Sequence, residues 1–438
     1  MKKIIYILSV TLLFAGGCKK NNGNNNPADN TALLPAAAGW VKAGTIPWSN
    51  THLGFEGAHA MTPYDLSVVD NQLALLYSED DKMSGTQHNW MYKTKFNPGA
   101  AIPESIALKR GGYAQWYSSR FVPGTFTPVY MKLAYSSVYF CTISDEDGDI
   151  AGNNLGYNSP DIWPINWYPD GGLTMSVKYA GTANGNISDV LSYTFPNTGN
   201  FEVIENQWSL DSTSWITCDA LRLTGGAINE LIVSRQGAKV YFSILKNDPD
   251  HTGVQHNFFI QARQEMPELN GANLGGNSII ASDVADDTYT VLVGEINGTV
   301  ITKVHCYQWK KGDTQFSRLY GNIAVPEDVG RNLMARSPIG CQPKPSFPPV
   351  KFTPDHTAYM LFNGNDYTAL ATINASGIKI AGKFSGASSS DNMLYQQLGL
   401  STCQYYNGAY YAVVYPKREE LYDIKDPRFR IEIVKLTP

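Results

Sequence analysis

Charged residues are scarce in this 438-residue sequence, at 17% of the total, and lysine and arginine never form more than short pairs. A surface that binds phosphates needs concentrated positive charge. This distribution and the formal net charge of −5 therefore argue against a nucleic-acid partner. The sequence also lacks the Gly-x-Ser-x-Gly motif of serine hydrolases, a phosphate-binding glycine loop and the His-Glu-x-x-His motif of metalloproteases. No recognisable catalytic motif assigns the chain to an enzyme class.

A 3.6-residue apolar periodicity of useful length is also missing, which argues against long helices. The sequence contains instead 39 glycines, 26 tyrosines, 24 prolines and 9 tryptophans, a composition typical of many strands and turns. Two polar segments repeat, Gln87-His88-Asn89-Trp90 and Gln255-His256-Asn257-Phe258. Their histidines are 256 − 88 = 168 residues apart, which fits three units of about 56 residues.

Tight-turn residues between apolar runs recur at about this spacing and predict seven units. The turns are Asp70-Asn71, Ser136-Ser137, Asp170-Gly171-Gly172, Gln236-Gly237, Asp286-Asp287, Asp355-His356 and Asn407-Gly408. We interpret each turn as the connection between the first two strands of a unit. Four-stranded units of this size, arranged radially, leave only short edges exposed. The sequence therefore predicts an all-β fold, a seven-bladed β-propeller with four-stranded antiparallel blades.

The two ends of the repeat region predict how the ring closes. The last unit ends with the strand-like run RIEIVKL and has no room for a fourth strand, whereas a strand-like segment at residues 39–48 precedes the first unit. We expect this N-terminal strand to complete the last blade. The second and fifth units are longer than the others, and they predict loops at residues 153–166 and 325–349, where a binding site or a lid would be placed most easily.

The N-terminus has the features of an export signal. A basic Met1-Lys2-Lys3 precedes the apolar run Ile4 to Phe14, which is too short to span a bilayer, and the small residues Ala15-Gly16-Gly17 precede Cys18. This layout resembles a bacterial lipoprotein signal, which implies lipidation of Cys18 and anchoring in the cell envelope. An ordinary secretory signal is the alternative. The predicted organisation is a signal peptide at 1–17, a disordered Asn/Gly-rich tether at 18–38 and a propeller domain at 39–438. The outer membrane is the expected location, with the side left open.

Five cysteines remain after Cys18, and no Cys-x-x-Cys spacing suggests a metal or redox site. They are Cys141, Cys218, Cys306, Cys341 and Cys403. An odd number in an oxidising compartment leaves at least one without an intramolecular disulfide. Because Cys141 and Cys306 lie within apolar strands, we expect them to act as small buried hydrophobic residues.

Acids and amides follow most of the predicted second strands, so we expect one face of the ring to be rich in oxygen ligands. These residues are Glu79-Asp80-Asp81, Asp145-Glu146-Asp147, Asn247-Asp248, Asn363 and Glu419-Glu420. The two Gln-His-Asn triplets, residues 87–89 and 255–257, are candidate ligand-binding residues on opposite sides of the channel mouth, since imidazole and amide groups bind sugar hydroxyls or metals. Alternatively, the triplets repeat only because the geometry of their loop repeats.

Two further segments are candidate sites. Asp145, Asp147, Asp149 and Asn153 place oxygen atoms at positions one, three, five and nine of a loop, and this pattern resembles the calcium-binding loops of propeller proteins such as integrin heads and the start of an EF-hand. The resemblance implies a Ca²⁺ site. Trp163 and Trp167, in the first predicted insertion, are candidates for a sugar-stacking platform, or they simply pin a long loop to the body.

These features favour a membrane-anchored, exported binding module that recognises a carbohydrate or an envelope partner protein. The alternative is a polysaccharide lyase or a glycoside hydrolase on the same scaffold. In a lyase, His88 or His256 would remove a proton beside a uronate carboxylate. A hydrolase would need two carboxylates facing each other across the channel. A structural scaffold within an envelope complex is a third possibility that the sequence neither supports nor excludes.

Overall fold

The computed structural model describes residues 38–47, 58–83, 86–112, 120–122, 124–134, 137–142, 152–154, 161–167, 172–179, 187–194, 202–207, 214–224, 228–247, 258–335, 350–364, 367–384, 398–416 and 430–438. The chain divides into two units, and Ala32–Pro438 contains every described element. The other unit, Met1–Thr31, lies outside the described residues together with the predicted signal peptide and Cys18. In the described part, no helix has the length and apolar character needed to cross a bilayer.

Twenty-eight described strands form seven four-stranded antiparallel sheets. Strand β1 (Val41–Pro47) precedes the first blade in the sequence. Blade 1 contains β2 (Ala58–Val69), β3 (Gln72–Met83), β4 (Thr86–Phe96) and β5 (Ile106–Gly112). Blade 2 contains β6 (Arg120–Phe121), β7 (Pro128–Ala134), β8 (Ser137–Thr142) and β9 (Gly152–Asn154). Blade 3 contains β10 (Asp161–Trp167), β11 (Gly172–Tyr179), β12 (Ile187–Thr194) and β13 (Glu202–Gln207).

The remaining four blades follow in chain order. Blade 4 contains β14 (Ser214–Arg222), β15 (Ile228–Gln236), β16 (Lys239–Asn247) and β17 (Phe258–Glu265), and a 3₁₀ turn at Pro267–Leu269 follows it. Blade 5 contains β18 (Ile279–Ala285), β19 (Thr288–Asn297), β20 (Val300–Lys310) and β21 (Ser317–Ala324), followed by helix α1 (Glu327–Ala335). Blade 6 contains β22 (Lys351–Phe352), β23 (Ala358–Asn363), β24 (Thr368–Asn374) and β25 (Gly377–Phe384). Blade 7 contains β26 (Leu398–Tyr406), β27 (Ala409–Pro416), β28 (Arg430–Leu436) and β1.

First strands of neighbouring blades contact one another around a common axis. Strand β2 contacts β26 and β6, and strand β14 contacts β10 and β18, which in turn contacts β22. Apolar side chains on the facing surfaces of neighbouring blades form the core, as between blades 4 and 5, where Phe242 packs edge-on against Tyr307. The predicted all-β, seven-bladed propeller is therefore confirmed.

The N-terminal strand closes the ring as predicted. Strand β1 pairs antiparallel with β28, and the Lys42 ammonium lies 3.4 Å from the buried carboxylate of Glu432 in that strand. Just before β1, the buried Trp40 donates its indole N–H to the carbonyl of Gly382 in blade 6 at 2.7 Å. A Cβ atom on Gly382 would lie 2.5 Å from the Trp40 ring, so only glycine allows this approach. Closure thus depends on contacts with two blades.

Replacing Trp40 with alanine should lower the free energy of unfolding by about 3–5 kcal/mol, because it empties a packed aromatic site at the closure point. Denaturant unfolding followed by tryptophan fluorescence and circular dichroism measures the change. Val41→Ala is the matched control, since Val41 is 66% exposed and should alter stability little. Equal stability of Trp40→Ala and the wild type would show that this residue does not secure the closing strand.

Tight-turn residues have the backbone conformation that the sequence indicates. Asp70 and Asn71 have φ values of 47° and 56°, and Asp286 and Asp287 have 49° and 57°. Positive φ at both central residues matches the twist of a two-residue hairpin, and Asp and Asn tolerate it better than most residues. The predicted tight turns are therefore confirmed at these two positions, but not every predicted turn joins the first two strands of its blade.

Blades 2 and 4 depart from the predicted alignment. The turn at Gln236-Gly237 joins β15 to β16, the second and third strands of blade 4, and the connection before Ser137 likewise joins β7 to β8 in blade 2. The true first strands, β6 and β14, were not recognised. Strand β6 has only two residues, and β14 contains the polar residues Thr217 and Asp219, which interrupt its apolar pattern. This shift by one strand changes the face on which the following loops lie.

Two predicted loops contain regular structure instead. Residues 153–166 include the end of β9 and most of β10, and Pro164 falls where the pairing register of β10 shifts between Ile162 and Ile165. A proline is tolerated at such an irregularity because it has no N–H to donate. The second predicted loop, 325–349, begins with α1, and residues 336–349 lie outside the described part.

Helix α1 is short, which explains why periodicity did not reveal it. Val329 and Leu333 are buried against blades 5 and 6, and the Asn332 side chain donates to the Asn363 carbonyl at 2.7 Å and accepts from its N–H at 3.1 Å. A Cβ atom on Gly330 would lie 2.1 Å from the carbonyl oxygen of Ile301. Glycine at this position lets the helix approach β20 closely.

Three interblade contacts show that the turns between first and second strands lie at one end of the ring. Tyr406 donates its hydroxyl to the Asn71 carbonyl at 2.7 Å, and the Thr224 N–H donates to the Asp287 carboxylate at 2.7 Å. Tyr405, near the end of β26, donates its N–H to the Tyr359 hydroxyl, near the start of β23, at 3.0 Å. We call this end the turn face. Connections between second and third strands lie at the opposite face.

Blade 5 contains a buried histidine paired with a carboxylate. His305 Nδ1 accepts the N–H of Asn322 at 3.4 Å, so Nε2 carries the proton and donates to Glu295 at 2.8 Å. The His305 side chain is completely buried. Burial lowers the pKa of the imidazole below its ordinary value of 6.5, although the hydrogen bond and the charge of Glu295 oppose this shift. His305 is therefore neutral in the folded protein at neutral pH.

This arrangement predicts a loss of stability in mild acid. With a folded-state pKa below 6.5, the unfolded chain binds more protons at His305 than the folded chain, so the free energy of unfolding falls as the pH drops below about 6.5. Denaturant unfolding between about pH 5 and 7.5 should show a shallower pH slope for His305→Gln than for the wild type. Identical slopes would contradict this origin of the acid sensitivity.

Candidate functional site

Side chains from three consecutive blades, 6, 7 and 1, meet at one point on the axis. The Lys351 ammonium, on the first strand of blade 6, donates to the Leu66 carbonyl of blade 1 at 3.1 Å and to Gln404 Oε1 of blade 7 at 3.0 Å. Lys351 and Leu66 are 285 residues apart, and their blades are not neighbours in the ring. Only the axis is common to non-adjacent blades, so this lysine lies in the central channel.

Asp65, on the first strand of blade 1, is the anionic member of this group. Its Oδ1 lies 3.9 Å from Lys351 Nζ, and its Oδ2 accepts the Ser67 hydroxyl at 2.7 Å and the Phe121 N–H of blade 2 at 2.9 Å. The first strands have no partner strand on the axial side, and such unpaired backbone groups cost free energy when buried. Asp65 and Lys351 each satisfy one of these groups, at Phe121 and Leu66.

We call Asp65, Lys351 and Gln404 the axial cluster. The Lys351 side chain retains 26% of its exposure, because it is surrounded by protein yet borders the channel. Burial lowers the pKa of the Lys351 ammonium; the charge of Asp65 opposes this shift and the charge of Arg120 adds to it. Asp65, Lys351 and Gln404 precede their turn residues by three to five positions, which places the cluster roughly 10–15 Å inside the turn face.

Removal of the Asp65 carboxylate should destabilise the ring. Asp65→Ala leaves the Phe121 N–H without its acceptor and the desolvated Lys351 ammonium without the nearby negative charge, which should cost about 2–3 kcal/mol in denaturant unfolding. The double variant Asp65→Ala/Lys351→Met should cost less than the sum of the two single changes. Lys239→Ala, which removes an exposed ion pair with Glu265, is a control that should change stability little. Additive effects of the two axial substitutions would show that Asp65 and Lys351 are not coupled.

A second polar group lies between blades 5 and 6, at the turn face. Asp283, Thr290 and Gln308 are cross-strand neighbours, so their side chains share one face of blade 5. His356, from the first turn of blade 6, lies on this row, with Nδ1 3.4 Å from the Thr290 hydroxyl and Nε2 3.4 Å from the Gln308 amide. Asp283 is accessible to water, but the surrounding protein raises the pKa of its carboxyl, an effect that His356 opposes. The pKa of Asp355, next to His356, is instead lowered, because Thr353 and Thr357 donate hydrogen bonds to its carboxylate.

The structure describes only one of the two Gln-His-Asn triplets. Gln87, His88 and Asn89 begin β4, at the connection between second and third strands, which lies at the opposite face. Gln255, His256 and Asn257 lie outside the described residues. The expectation that both triplets flank one channel mouth therefore stays a prediction.

The predicted acidic face is described only in part. Asp80 and Asp81 lie in β3 and Asn363 ends β23, two second strands that end at the opposite face, whereas Asn247 ends β16, a third strand, at the turn face. Glu79 is completely buried, so it belongs to the core rather than to a loop. Residues 145–147, 248 and 419–420 lie outside the described part.

The predicted calcium loop lies largely outside the described residues. Asp145, Asp147 and Asp149 are not described, and the backbone of Asn153 pairs with Phe140 in blade 2. Among the residues that are described, no group of three or more His, Cys, Asp or Glu side chains could hold a metal ion. Trp163 and Trp167 belong to β10, the first strand of blade 3, and not to an exposed rim loop. Their side chains lie outside the described part.

The expectation that cysteines within apolar strands are buried is confirmed for Cys306. Cys218, Cys306 and Cys403 are buried thiols that form no disulfide. Burial raises the pKa of Cys306 to about 12, so this thiol is not a nucleophile at neutral pH. Cys141 lies in β8, and Cys341 is outside the described residues.

The axial cluster was not found from the sequence. Its members come from three blades, and no local motif joins them. One signal was present: Asp65, Lys351 and Gln404 each interrupt a first strand at a similar distance before its turn. Because all first strands surround the axis, polar residues at matching positions in them are expected to meet.

Comparison with known proteins identifies similar folds but no family. No family model matches the chain, and no curated protein matches it. Solved structures similar to it include prolyl oligopeptidase B from Galerina marginata (7% identity, TM-score 0.37, 82% of this chain and 47% of that chain). The polysaccharide lyase Uly1 (8%, 0.37, 90% and 97%) and the β-propeller domain of the Trilobed protease from Pyrococcus furiosus (9%, 0.30, 77% and 99%) are also similar. The chain spans about half the length of the oligopeptidase.

Proposed function

We propose that this protein is an exported, membrane-anchored binding module that holds a carbohydrate at the axial cluster. The observation that carries the proposal is the convergence of Asp65, Lys351 and Gln404 from three blades at one point that water can reach. Sugar hydroxyls both donate and accept hydrogen bonds, and a carboxylate, an ammonium and an amide within a few ångströms offer both functions. The anchor is the lipid expected on Cys18.

The free-energy cost of burying the Lys351 ammonium supports a binding role for the axial cluster. A partly buried ammonium is desolvated, and hydrogen bonds to a carbonyl and an amide compensate for this only in part. An apolar side chain at position 351 would avoid the cost, although it would leave the Leu66 carbonyl without its donor. A ligand that binds in the channel gives a reason for a lysine there. If the cluster only satisfies the inner strand edges, its substitution will change stability and not binding.

The enzyme alternative has less support than binding. A lyase would use His88 or His256 as its base, and the side chains of both lie outside the described part. One observation favours an enzyme. Near His356, the pKa of Asp283 is raised and the pKa of Asp355 is lowered, a pattern found in acid–base pairs. Binding at the axis is nevertheless the proposal, and turnover of a bound saccharide is an outcome that the same experiments would reveal.

The proposal predicts saccharide binding that depends on the axis. Glycan-array screening followed by calorimetry, with a protein that begins at Lys19, should identify a ligand whose dissociation constant rises by about 10- to 100-fold in Lys351→Met, since a hydrogen bond from a charged donor is lost. His88→Ala and His256→Ala should retain wild-type affinity. Lys239→Ala serves as the surface control. Loss of binding in a histidine variant, with Lys351→Met unaffected, would place the site at a triplet instead.

A further inference from the structure

We infer that the axial cluster recognises a neutral saccharide through two hydroxyls on adjacent ring carbons, a vicinal diol. This inference rests on the proposed function and specifies its ligand. One hydroxyl would accept a hydrogen bond from the Lys351 ammonium, and its neighbour would donate one to Asp65 Oδ1. Lys351 Nζ and Asp65 Oδ1 lie 3.9 Å apart, and their side chains are 26% and 14% exposed.

The two carboxylate oxygens of Asp65 have different surroundings. Oδ2 accepts the Ser67 hydroxyl at 2.7 Å and the Phe121 N–H at 2.9 Å. In the part of the chain that the structure describes, no donor lies within hydrogen-bond distance of Oδ1, and Lys351 Nζ is at 3.9 Å. Because the hydrogen bonds to Oδ2 hold the carboxylate in place, Oδ1 is an acceptor whose position is fixed before a ligand binds.

Lys351 is the matching donor. Among the described residues its ammonium donates to two acceptors, the Leu66 carbonyl at 3.1 Å and Gln404 Oε1 at 3.0 Å. An ammonium has three N–H groups, so a third hydrogen bond can go to a ligand. Gln404 holds Lys351 in position, since its amide also donates to the Tyr405 carbonyl at 3.0 Å and is thereby oriented.

The distance between this donor and this acceptor favours a diol. At 3.9 Å they are too far apart for a direct hydrogen bond, but two neighbouring hydroxyls, one facing each atom, span this separation with nearly parallel hydrogen bonds. Both hydrogen bonds would involve a charged group and would therefore be stronger than neutral ones. A carboxylate ligand could accept from Lys351 but has no proton to donate to Asp65, and the two negative charges would repel each other.

The test uses a printed array of neutral and acidic glycans in two copies, one untreated and one oxidised with periodate and then reduced with borohydride. Periodate cleaves the bond between adjacent carbons that carry hydroxyls, and borohydride converts the resulting aldehydes to alcohols. The wild-type protein, beginning at Lys19, should bind neutral glycans on the untreated copy and lose at least about tenfold in apparent affinity on the treated copy. Equal binding to both copies, or binding to acidic glycans alone, would overturn the inference and leave the proposed function intact. A wild type that binds no glycan on either copy would overturn both.

Asp65→Asn tests the acceptor directly. Asparagine keeps an oxygen for the Ser67 hydroxyl and the Phe121 N–H, and it places N–H donors where Oδ1 now lies. Its apparent dissociation constant for the untreated neutral glycans should rise at least about tenfold. Lys239→Ala, the surface control, should retain wild-type affinity. Unchanged glycan binding by Asp65→Asn, with a circular dichroism spectrum like that of the wild type, would overturn the inference. If this variant does not fold, the treated array decides, because it uses the wild type alone.

Discussion

Unpaired strand edges around the axis are the constraint on which this propeller depends. Each blade pairs its strands internally, but the inner edge of its first strand faces the channel and has no partner strand. The described structure satisfies several of these groups with side chains from other blades, as Asp65 does for the Phe121 N–H and Lys351 for the Leu66 carbonyl. These unpaired edges therefore account both for the side-chain contacts between blades and for the polar character of the channel. The residues that hold the ring together are also those that a ligand in the channel would contact.

The rest of the architecture follows from apolar packing between blades. Second and third strands provide most of the fully buried side chains, such as Leu75 and Val291, and these face the neighbouring blade rather than the axis. His305, which is buried among them, is paired with Glu295. Apolar residues on the blade faces thus stabilise the ring, whereas polar residues at the inner strand edges determine the chemistry of the channel.

Much of the fold could be predicted because repetition and turn chemistry are local properties. Asp70-Asn71 and Asp286-Asp287 were recognisable because few residue types tolerate positive φ at two successive positions. The assignment failed in blade 4, where the polar Thr217 and Asp219 interrupt β14, so the strand predicted as the second of this blade is its third. The axial cluster could not be predicted from local patterns, since its members lie hundreds of residues apart and meet only when the ring is closed.

Ring closure also imposes an order on folding. Strand β1 is among the first propeller segments to be synthesised, and it pairs with β28, which is synthesised last: Val41 lies opposite Lys435. Contacts between such distant segments form slowly, because a long loop must be ordered before they add stability. Until the final strand is synthesised, β1 has no partner strand and the sixth blade lacks the Trp40 contact. If Cys18 carries the proposed lipid, the last blade would be assembled close to the bilayer.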